Sequence, residues 1–330
     1  MSFRGDERRL QLQWKARTSS LTQDARRPGV YTGKARRPGP KTRRDAMFLH
    51  EDGAQENLLP FIRERALAHF ELHGIDWHDG GRPNVPSNFL MDSMVSCVNC
   101  LFPFAFDATA LARLFRPLVP DAVGAIPIED GLFLTHEWIG AENYLEEASP
   151  GRKRGAKGTS IDAYCVLTCA DGRRVGLLIE WKYLERNEPG RRHGEHYRRF
   201  LEAEGSPVDV SRCGGVEALF HEPYYQLARQ VLLASRMEVA KEFGAERFLN
   251  VLLVPAGNLE YRDAGCSPQL QRLAPGRPVH VVLQSLLVDP SRFACSTFQE
   301  LAGAIELPVE SPLTDAVGEV LARYCAGRAY

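Results

Sequence analysis

Residues 161–183 contain two apolar runs separated by a short polar turn, and this pattern constrains the fold more than any other part of the sequence. Residues 161–169 and 175–183 are rich in β-branched, apolar and aromatic side chains, and residues 170–173 lie between them. The Asp171-Gly172 pair supplies the positive backbone angles that a tight hairpin turn requires. The sequence therefore predicts a β-hairpin whose two open ends lie close together.

Three charged side chains fall at the open end of this predicted hairpin. Asp162 lies across from about Trp181, and Glu180 and Lys182 share one face because side chains alternate along a strand, with Trp181 and Tyr183 on the other. Two carboxylates and an amine are costly to bury among Val, Leu and Ile unless they bind something. Carboxylate oxygens suit a hard divalent cation, and a neighbouring lysine can orient a water and stabilise a negatively charged transition state. The pattern therefore indicates a phosphodiesterase site.

The same residues resemble the motif of the PD-(D/E)XK nuclease superfamily. Residues 158–163 read Gly-Thr-Ser-Ile-Asp-Ala, and residues 176–185 read Gly-Leu-Leu-Ile-Glu-Trp-Lys-Tyr-Leu-Glu. They are most similar to a bacterial branch of restriction endonuclease-like proteins, and the similarity spans roughly residues 48–285. The sequence departs from the motif at Ile161, where the name of the superfamily places proline.

The resemblance implies an α/β fold with a restriction-endonuclease-like core, a mixed β-sheet flanked by helices in the order αβββαβ. It implies that Asp162 and Glu180 hold Mg²⁺, with Mn²⁺ as a substitute, and that Lys182 positions the attacking water. We expect a metal-dependent DNA endonuclease that acts in restriction or DNA repair. Two alternatives remain open: a catalytically silent DNA-binding scaffold of the same fold, and a metal-independent carboxylate-pair hydrolase such as a glycosidase. A homodimer is also open, because many double-strand cutters are dimers.

A third carboxylate is expected beside Asp162 and Glu180. Glu137, in a strand predicted over residues 132–138, is the candidate, because it could point to the same face of the sheet. Glu142 and Glu185 are rivals for this role, and each of the three is equally compatible with an exposed acid.

Basic and polar residues near the hairpin are candidates for binding DNA. Basic runs precede it at residues 152–157 and follow it at residues 186–199, where loops would surround a negatively charged substrate. On a later predicted helix, a polar trio shares one face and could touch a phosphate or hold Lys182 in place. The alternatives are a solvated loop and the wet side of an amphipathic helix. The candidates are Arg152, Lys153, Arg154, Lys157, Gln226, Arg229 and Gln230.

The first 45 residues differ in composition from the rest of the chain. They hold 13 basic and four acidic residues, a net charge of +9, whereas the remaining 285 residues carry −10. A repeat, Ala-Arg-Arg-Pro-Gly, occurs at residues 25–29 and 35–39. Because such a segment buries little apolar surface, we predict a disordered basic arm over residues 1–45 that contacts phosphates, and a single nuclease domain over residues 46–330 with helical additions at both ends. A solvated tail, or translation from Met47, are the alternatives.

Composition and spacing exclude several other classes of protein. No apolar run approaches the roughly 18–20 residues of a membrane span, and eight cysteines without a secretory signal predict reduced thiols in the cytoplasm. Cys97 and Cys100 have zinc-like spacing but no second pair, so we expect buried packing thiols. We expect His69 and His73 to be surface histidines, because the sequence motif of a metalloprotease is missing.

The remaining periodicity predicts helices and strands around the hairpin. The predicted helices are 46–72, 88–102, 222–243, 297–304 and 313–326, and the predicted strands outside the hairpin are 132–138, 248–254 and 279–283.

Overall fold

A computed structural model describes residues 2–32, 43–77, 84–148, 153–155, 158–263, 265–305 and 311–325. It contains a six-stranded mixed sheet flanked by helices, as the sequence predicts. The strands are β1 (Ala122–Ile126), β2 (Leu134–Trp138), β3 (Ile161–Cys169), β4 (Arg174–Trp181), β5 (Arg247–Leu253) and β6 (Phe293–Ser296). The helices are α1 (Phe3–Arg17), α2 (Arg63–Leu72), α3 (Ser93–Leu101), α4 (Ala108–Phe115), α5 (Glu195–Leu201), α6 (Tyr224–Val239), α7 (Leu259–Arg262), α8 (Pro268–Leu273), α9 (Val279–Leu286), α10 (Phe298–Gly303) and α11 (Pro312–Tyr324).

Strands β3 and β4 form the predicted antiparallel hairpin. Ala163 lies opposite Ile179, and the pairing continues to the turn. Gly172 in that turn has a φ of +87° and donates its N–H to the carbonyl of Cys169 at 2.9 Å. Because few other residues adopt this conformation without strain, the turn depends on glycine. The hairpin prediction is confirmed, with the second strand ending at Trp181.

The other strands extend the hairpin on both sides. β1 and β2 pair antiparallel with successive parts of β3, and β5 and β6 add parallel strands beyond β4. Helix α6 makes the crossover between the parallel strands β4 and β5, which a short turn could not span. The short strands β1 and β6 were not expected from the sequence, because four or five residues carry little periodicity.

The alternation of side chains in β3 and β4 divides the core into two layers. Cys165, Leu177 and Ile179 pack in the layer that contains α3, α4 and α11. Tyr164 and Leu178 pack in the layer that contains α6 and α9. Even-numbered positions of β4 therefore face α6, and this register decides which helix covers the end of the hairpin.

The N-terminal segment is folded over most of its length, so the prediction of a disordered arm is wrong for the described residues. Helix α1 packs against α11, and its buried side chains recur at helical spacing. They are Glu7, Gln11, Trp14 and Lys15. Residues 33–42, which hold the whole second copy of the repeat, lie outside the described residues.

The buried stripe of α1 is polar, and this is why hydrophobic periodicity did not reveal it. Gln11 donates to the hydroxyl of Tyr183 at 3.1 Å and accepts from Nε of Arg323 at 3.2 Å. The Arg323 guanidinium, itself buried, lies 3.9 Å from the ring centroid of Trp14. Burial lowers the pKa of Lys15 to about 8. Long-range hydrogen bonds and a cation–π contact thus fix this segment on the rest of the fold, although its composition alone predicts a solvent-exposed arm.

Two other predicted elements are corrected. The helix predicted over 46–72 begins only at Arg63, after Pro60, because proline disfavours the helical conformation in the residue before it. The strand predicted over 279–283 is helix α9, which follows Pro278. A short apolar run fits a buried strand and a buried helix equally well. Within the described part of the chain, every helix is too short or too polar to cross a lipid bilayer.

We predict that Trp14→Ala lowers the free energy of unfolding by about 3 kcal/mol, because it removes a buried aromatic ring and its contact with Arg323. Urea denaturation of the full chain measures this loss. Arg9→Ala, on the exposed face of the same helix, is the matched control and should change stability by no more than about 0.5 kcal/mol. Equally small effects for both variants would contradict the packing of α1.

Candidate active site

The open end of the hairpin brings Asp162, Glu180 and Lys182 together, as the sequence predicts. The backbone N–H of Trp181 donates to Oδ2 of Asp162 at 2.7 Å. Glu180 is only 2% exposed, and its two carboxylate oxygens have different partners. One oxygen forms an ion pair with Nζ of Lys182, and the other accepts from Nε2 of Gln230.

Helix α6 positions both members of this ion pair. Nζ of Lys182 donates to Oε1 of Gln226 at 3.0 Å, while Gln230, one turn further along α6, contacts Glu180. Lys182 also lies 5.7 Å from the ring centroid of Tyr261. Gln226 and Gln230 therefore face the hairpin. They do not belong to a solvent-exposed face of the helix, which was the alternative interpretation.

Glu137 supplies a third carboxylate near the same place. His136 and Trp138 pair with residues 163 and 161 of β3, so Glu137 falls opposite Asp162. Glu137 is 2% exposed, has a φ of +51° and accepts from the hydroxyl of Ser160 at 2.9 Å. A left-handed conformation at a residue other than glycine costs about 1–3 kcal/mol, and such strain clusters at functional sites.

The two rivals of Glu137 are placed differently. Glu142 is exposed on the loop that follows β2. Glu185 lies beyond Lys182, and its carboxylate accepts from the backbone N–H of Tyr183 at 2.6 Å. Of the three acids, Glu137 is the one that lies in register with Asp162.

The charges at the hairpin end perturb one another. The pKa of Asp162 is raised well above its usual value, first because burial disfavours the carboxylate and then because Glu180 and Glu137 repel it. Burial by itself would lower the pKa of Lys182, but the attraction of Glu180 and Asp162 outweighs it, so the pKa lies above the usual lysine value. Lys182 is therefore held as an ammonium that donates hydrogen bonds, and three carboxyl groups share the hairpin end with this cation.

This donor set fits a hard divalent cation. Three carboxylates offer oxygen ligands, and a divalent ion would balance their excess over one ammonium. As they lie here, the ligand oxygens of Glu137, Asp162 and Glu180 are not all within 4.8 Å of one another, unlike two other clusters in the described part of the chain. An ion that bound all three would have to draw them together and compete with Lys182 for Glu180.

The two described basic candidates before β3, Lys153 and Arg154, do not converge on this site. Arg154 is 8% exposed and donates through Nη1 to both carboxylate oxygens of Glu129, at 2.9 and 2.8 Å. It is a structural residue, and the expectation that it binds substrate is wrong. Lys153 is exposed and forms an ion pair with Asp76 at 2.7 Å. Arg152 and Lys157 lie outside the described residues.

Arg229 contacts the segment just before β3, whereas the two glutamines beside it contact Lys182 and Glu180. Its Nε donates to the hydroxyl of Thr159 at 2.9 Å, and its guanidinium lies 5.0 and 5.1 Å from the ring centroids of Tyr197 and Tyr225. Nη2 also lies 3.7 Å from the carboxylate of Glu147. Arg229 thus secures the loop that leads into β3.

A cavity of about 770 Å³ opens beside Lys182 and Gln226. Arg186 and Arg192, from the basic stretch after the hairpin, contribute to its wall, as expected. Arg4 and Tyr31 of the N-terminal segment also line it. Sequence reasoning missed these last two, because they belong to the segment interpreted as disordered.

The prediction for the two cysteines with zinc-like spacing is confirmed, whereas the prediction for the histidines is wrong at one position. Cys97 and Cys100 are buried free thiols, as predicted. His69 is not a surface residue: it is 5% exposed, and burial lowers its pKa to about 4. His69, His73 and Glu129 form one of the two clusters whose potential ligand atoms lie within 4.8 Å.

Comparison with known proteins identifies the family. The family model described as "Restriction Endonuclease associating with ARP" matches residues 8–325, and the chain belongs to this family. The expectation of a restriction endonuclease-like family is therefore confirmed. No curated protein and no solved structure matches the chain. The matched region includes most of α1, in agreement with the packing of that helix on the rest of the fold.

We predict that, in EDTA, Asp162→Asn raises the free energy of unfolding at neutral pH, because folding raises the pKa of Asp162 and its ionisation in the folded state therefore costs stability. The amide keeps an acceptor for the N–H of Trp181 and removes the repulsion between carboxylates. A carboxyl group whose pKa is raised by folding costs stability as the pH rises above the ordinary aspartate value, so the advantage of the variant should grow from pH 4 upward.

Urea denaturation between pH 4 and pH 9 measures this difference. Asp171→Asn, in the exposed turn of the same hairpin, is the matched control. Hydrogen bonds from Arg173 lower the pKa of Asp171, so this substitution should not stabilise the protein at neutral pH. A pH-independent difference between the wild type and Asp162→Asn would contradict the electrostatic account.

Proposed function

We propose that this chain is a metal-dependent deoxyribonuclease of the PD-(D/E)XK type, which hydrolyses phosphodiester bonds in DNA. The observation that carries the proposal is the convergence of Asp162, Glu180 and Lys182 at the end of one hairpin, beside a cavity that reaches Lys182. Membership of a restriction endonuclease-associated family supports the same chemistry. The expected activity is that of an endonuclease in restriction or DNA repair.

Asp162 and Glu180 would hold Mg²⁺, with Mn²⁺ as a substitute, and Glu137 would be the third carboxylate. The bound ion would supply the Lewis-acid charge that makes water nucleophilic at neutral pH and neutralises the phosphodiester. Its charge would also offset the repulsion that raises the pKa of Asp162. The repulsion between the carboxylates, which destabilises the metal-free fold, should therefore favour binding of the divalent ion.

Lys182 acts as a hydrogen-bond donor in this proposal. Its raised pKa keeps the ammonium protonated, so it cannot serve as a general base. It can orient the attacking water or stabilise the charge that develops on a phosphate oxygen. Gln226 holds the ammonium at 3.0 Å and Gln230 holds Glu180, so both glutamines are positioning residues.

The two alternatives to a nuclease explain less of this geometry. A catalytically silent DNA-binding scaffold has no need of three neighbouring carboxylates, because their mutual repulsion destabilises the folded state. A carboxylate-pair glycosidase would use a carboxylic acid of raised pKa, which Asp162 offers, but it leaves Lys182 and its two glutamine supports without a role.

We predict that Lys182→Ala reduces DNA cleavage by about 10²- to 10³-fold or more, because it removes a donor used in the transition state. The assay incubates the full chain with supercoiled plasmid and with linear DNA, each in Mg²⁺, Mn²⁺ or EDTA. Cleavage should require a divalent ion, and conversion of the supercoiled form would identify an endonuclease.

Lys241→Gln is the matched control, since Lys241 is exposed after the end of α6 and outside the site. It should cleave like the wild type, and circular dichroism should show that all variants are folded. Full activity of Lys182→Ala, or cleavage that survives EDTA, would refute the proposal. DNA binding without cleavage under every condition would favour the scaffold.

A further inference from the structure

The size of the cavity beside Lys182 limits what can enter it. Its volume is about 770 Å³, within the range of about 300–1,000 Å³ that is typical of small-molecule sites. A sphere of this volume would be about 11 Å across, whereas the major groove of B-DNA alone is about 12 Å wide. One or two nucleotides fit inside the cavity, and a DNA duplex does not.

One wall of the cavity is aromatic. Tyr31, Phe48 and Phe89 line it, with ring centroids 5.5 Å apart for the first pair and 5.3 Å for the second. All three side chains are partly exposed, and Met91 and Met94 extend the apolar surface. Partly exposed aromatic rings beside a candidate phosphodiesterase site are suited to stacking on a nucleobase.

The charge of the cavity favours a base over a phosphate backbone. Among the described residues, four cationic and four acidic side chains line it, so their formal charges cancel. One of these cations, Arg192, forms an ion pair with Glu222 at 3.0 Å. A groove that follows a phosphate backbone needs a clear excess of positive charge. A neutral cavity with an aromatic wall instead matches an uncharged planar ring.

We propose that this cavity holds the base of an unpaired nucleotide, stacked on the wall formed by Tyr31, Phe48 and Phe89, while the adjoining phosphodiester lies at Lys182. The substrate class would then be single-stranded DNA or DNA that is locally unpaired at the point of cleavage. This inference rests on the proposed function, and it names the substrate of the same site.

Cleavage assays test the substrate class. The full chain is given the same sequence as a single strand, as a duplex with a central unpaired bubble and as a perfect duplex, with Mg²⁺. We expect the unpaired substrates to be cleaved at least tenfold faster. Tyr31→Ala should reduce that rate about tenfold, and Tyr31→Phe, which keeps the ring, should restore it. Phe61→Ala, an exposed aromatic residue outside the cavity, is the matched control.

A binding assay separates this inference from the nuclease proposal. A single strand containing 2-aminopurine is titrated with Lys182→Ala, and quenching of its fluorescence reports stacking. If the fluorescence is quenched and Tyr31→Ala abolishes the quenching, the result would support base stacking in the cavity, even if no DNA were cleaved. The absence of cleavage would then contradict only the proposed function. Cleavage without preference for unpaired DNA, or equal behaviour of Tyr31→Ala and Phe61→Ala, would overturn the cavity inference and leave the nuclease intact.

A second inference, independent of the nuclease, concerns the cluster at the end of α2. His69 and His73 are one helical turn apart, and Glu129 lies in the turn before β2. One ring nitrogen from each histidine and one oxygen of Glu129 lie within 4.8 Å of one another. Two imidazoles and a carboxylate are the ligand types of a zinc site with an open fourth position.

Hydrogen bonds fix the proton on His69. The hydroxyl of Thr135 donates to Oε2 of Glu129 at 2.6 Å and accepts from Arg154 at 2.5 Å. It has no second proton to give, so Nε2 of His69, at 3.2 Å, must be the donor to Thr135. Nδ1 of His69 therefore bears a lone pair, and it is buried without a hydrogen-bond partner among the described residues. Nδ1 of His69 is therefore available to coordinate a metal ion.

The second histidine is oriented by a carboxylate. Nε2 of His73 contacts Asp130 at 2.5 Å, and its Nδ1 lies 3.6 Å from Oε1 of Glu129. Asp130 adopts a φ of +49°, a strained conformation that places its side chain against the ring. Histidines that ligate metals commonly contact a carboxylate through the other ring nitrogen, as His73 does. Among the described residues, Arg154 leaves one acceptor position on Oε1 of Glu129 unused.

We propose that His69, His73 and Glu129 bind one divalent transition-metal ion of the zinc type. Titration of the EDTA-treated full chain with Co²⁺ tests this, because a tetrahedral nitrogen–oxygen site gives visible absorption bands that a hard carboxylate site does not. We expect one equivalent to produce the bands in the wild type and in Asp162→Asn, and Zn²⁺ to abolish them by displacement.

His73→Ala and Glu129→Gln should each reduce the bands at least tenfold while the chain stays folded by circular dichroism. His50→Ala is the matched control, since His50 also lies near two carboxylates, at 3.5 and 3.6 Å, but forms no such cluster with a second histidine in the described part of the chain. Bands that are absent from the wild type, or that persist in both His73→Ala and Glu129→Gln, would overturn the proposal.

Discussion

The crowding of three carboxylates at one end of a buried hairpin is the constraint on which the rest of the structure depends. Glu180 and Glu137 repel Asp162 in a poorly solvated place, and the ammonium of Lys182 forms an ion pair with Glu180. Each carboxylate therefore needs a donor fixed by the surrounding fold. The N–H of Trp181, the amide of Gln230 and the hydroxyl of Ser160 supply these donors. These fixed hydrogen bonds offset the free-energy cost of burying three carboxyl groups close together.

Helix α6 supports the site from both of its sides. One side presents two glutamines to the ion pair between Glu180 and Lys182. The other presents Arg229, which holds Thr159 directly at the start of β3. Glu147 also accepts from the backbone N–H of Thr159, at 2.8 Å, so the loop that leads into Asp162 is fixed by charge-assisted bonds. Because α6 is the crossover between β4 and β5, its position relative to the hairpin is set by the parallel pairing of those strands.

The parts of the fold that could be predicted from the sequence are those whose signal is local. Turn chemistry and strand alternation over residues 161–183 were enough to find the hairpin and to place Asp162, Glu180 and Lys182 at its open end. The burial of Arg154 could not be predicted, because it depends on Glu129 and on main-chain carbonyls of β2 that only the tertiary fold brings together. A basic run that is solvated and one that is buried against acids look the same in sequence.

The N-terminal segment shows how this limit bears on function. Its basic composition suggested a free arm that grips phosphates, yet Arg8 pairs with Asp45, and other arginines of the segment pair in the same way. Tyr183, one residue beyond Lys182, donates its hydroxyl to Glu7 at 2.7 Å and thereby joins α1 to the end of the hairpin. Arg4 and Tyr31 reach the cavity because of this docking. A free arm can add only non-specific attraction, whereas a docked segment holds a cation and an aromatic ring at fixed positions in the cavity beside Lys182. Only fixed positions can discriminate between ligands.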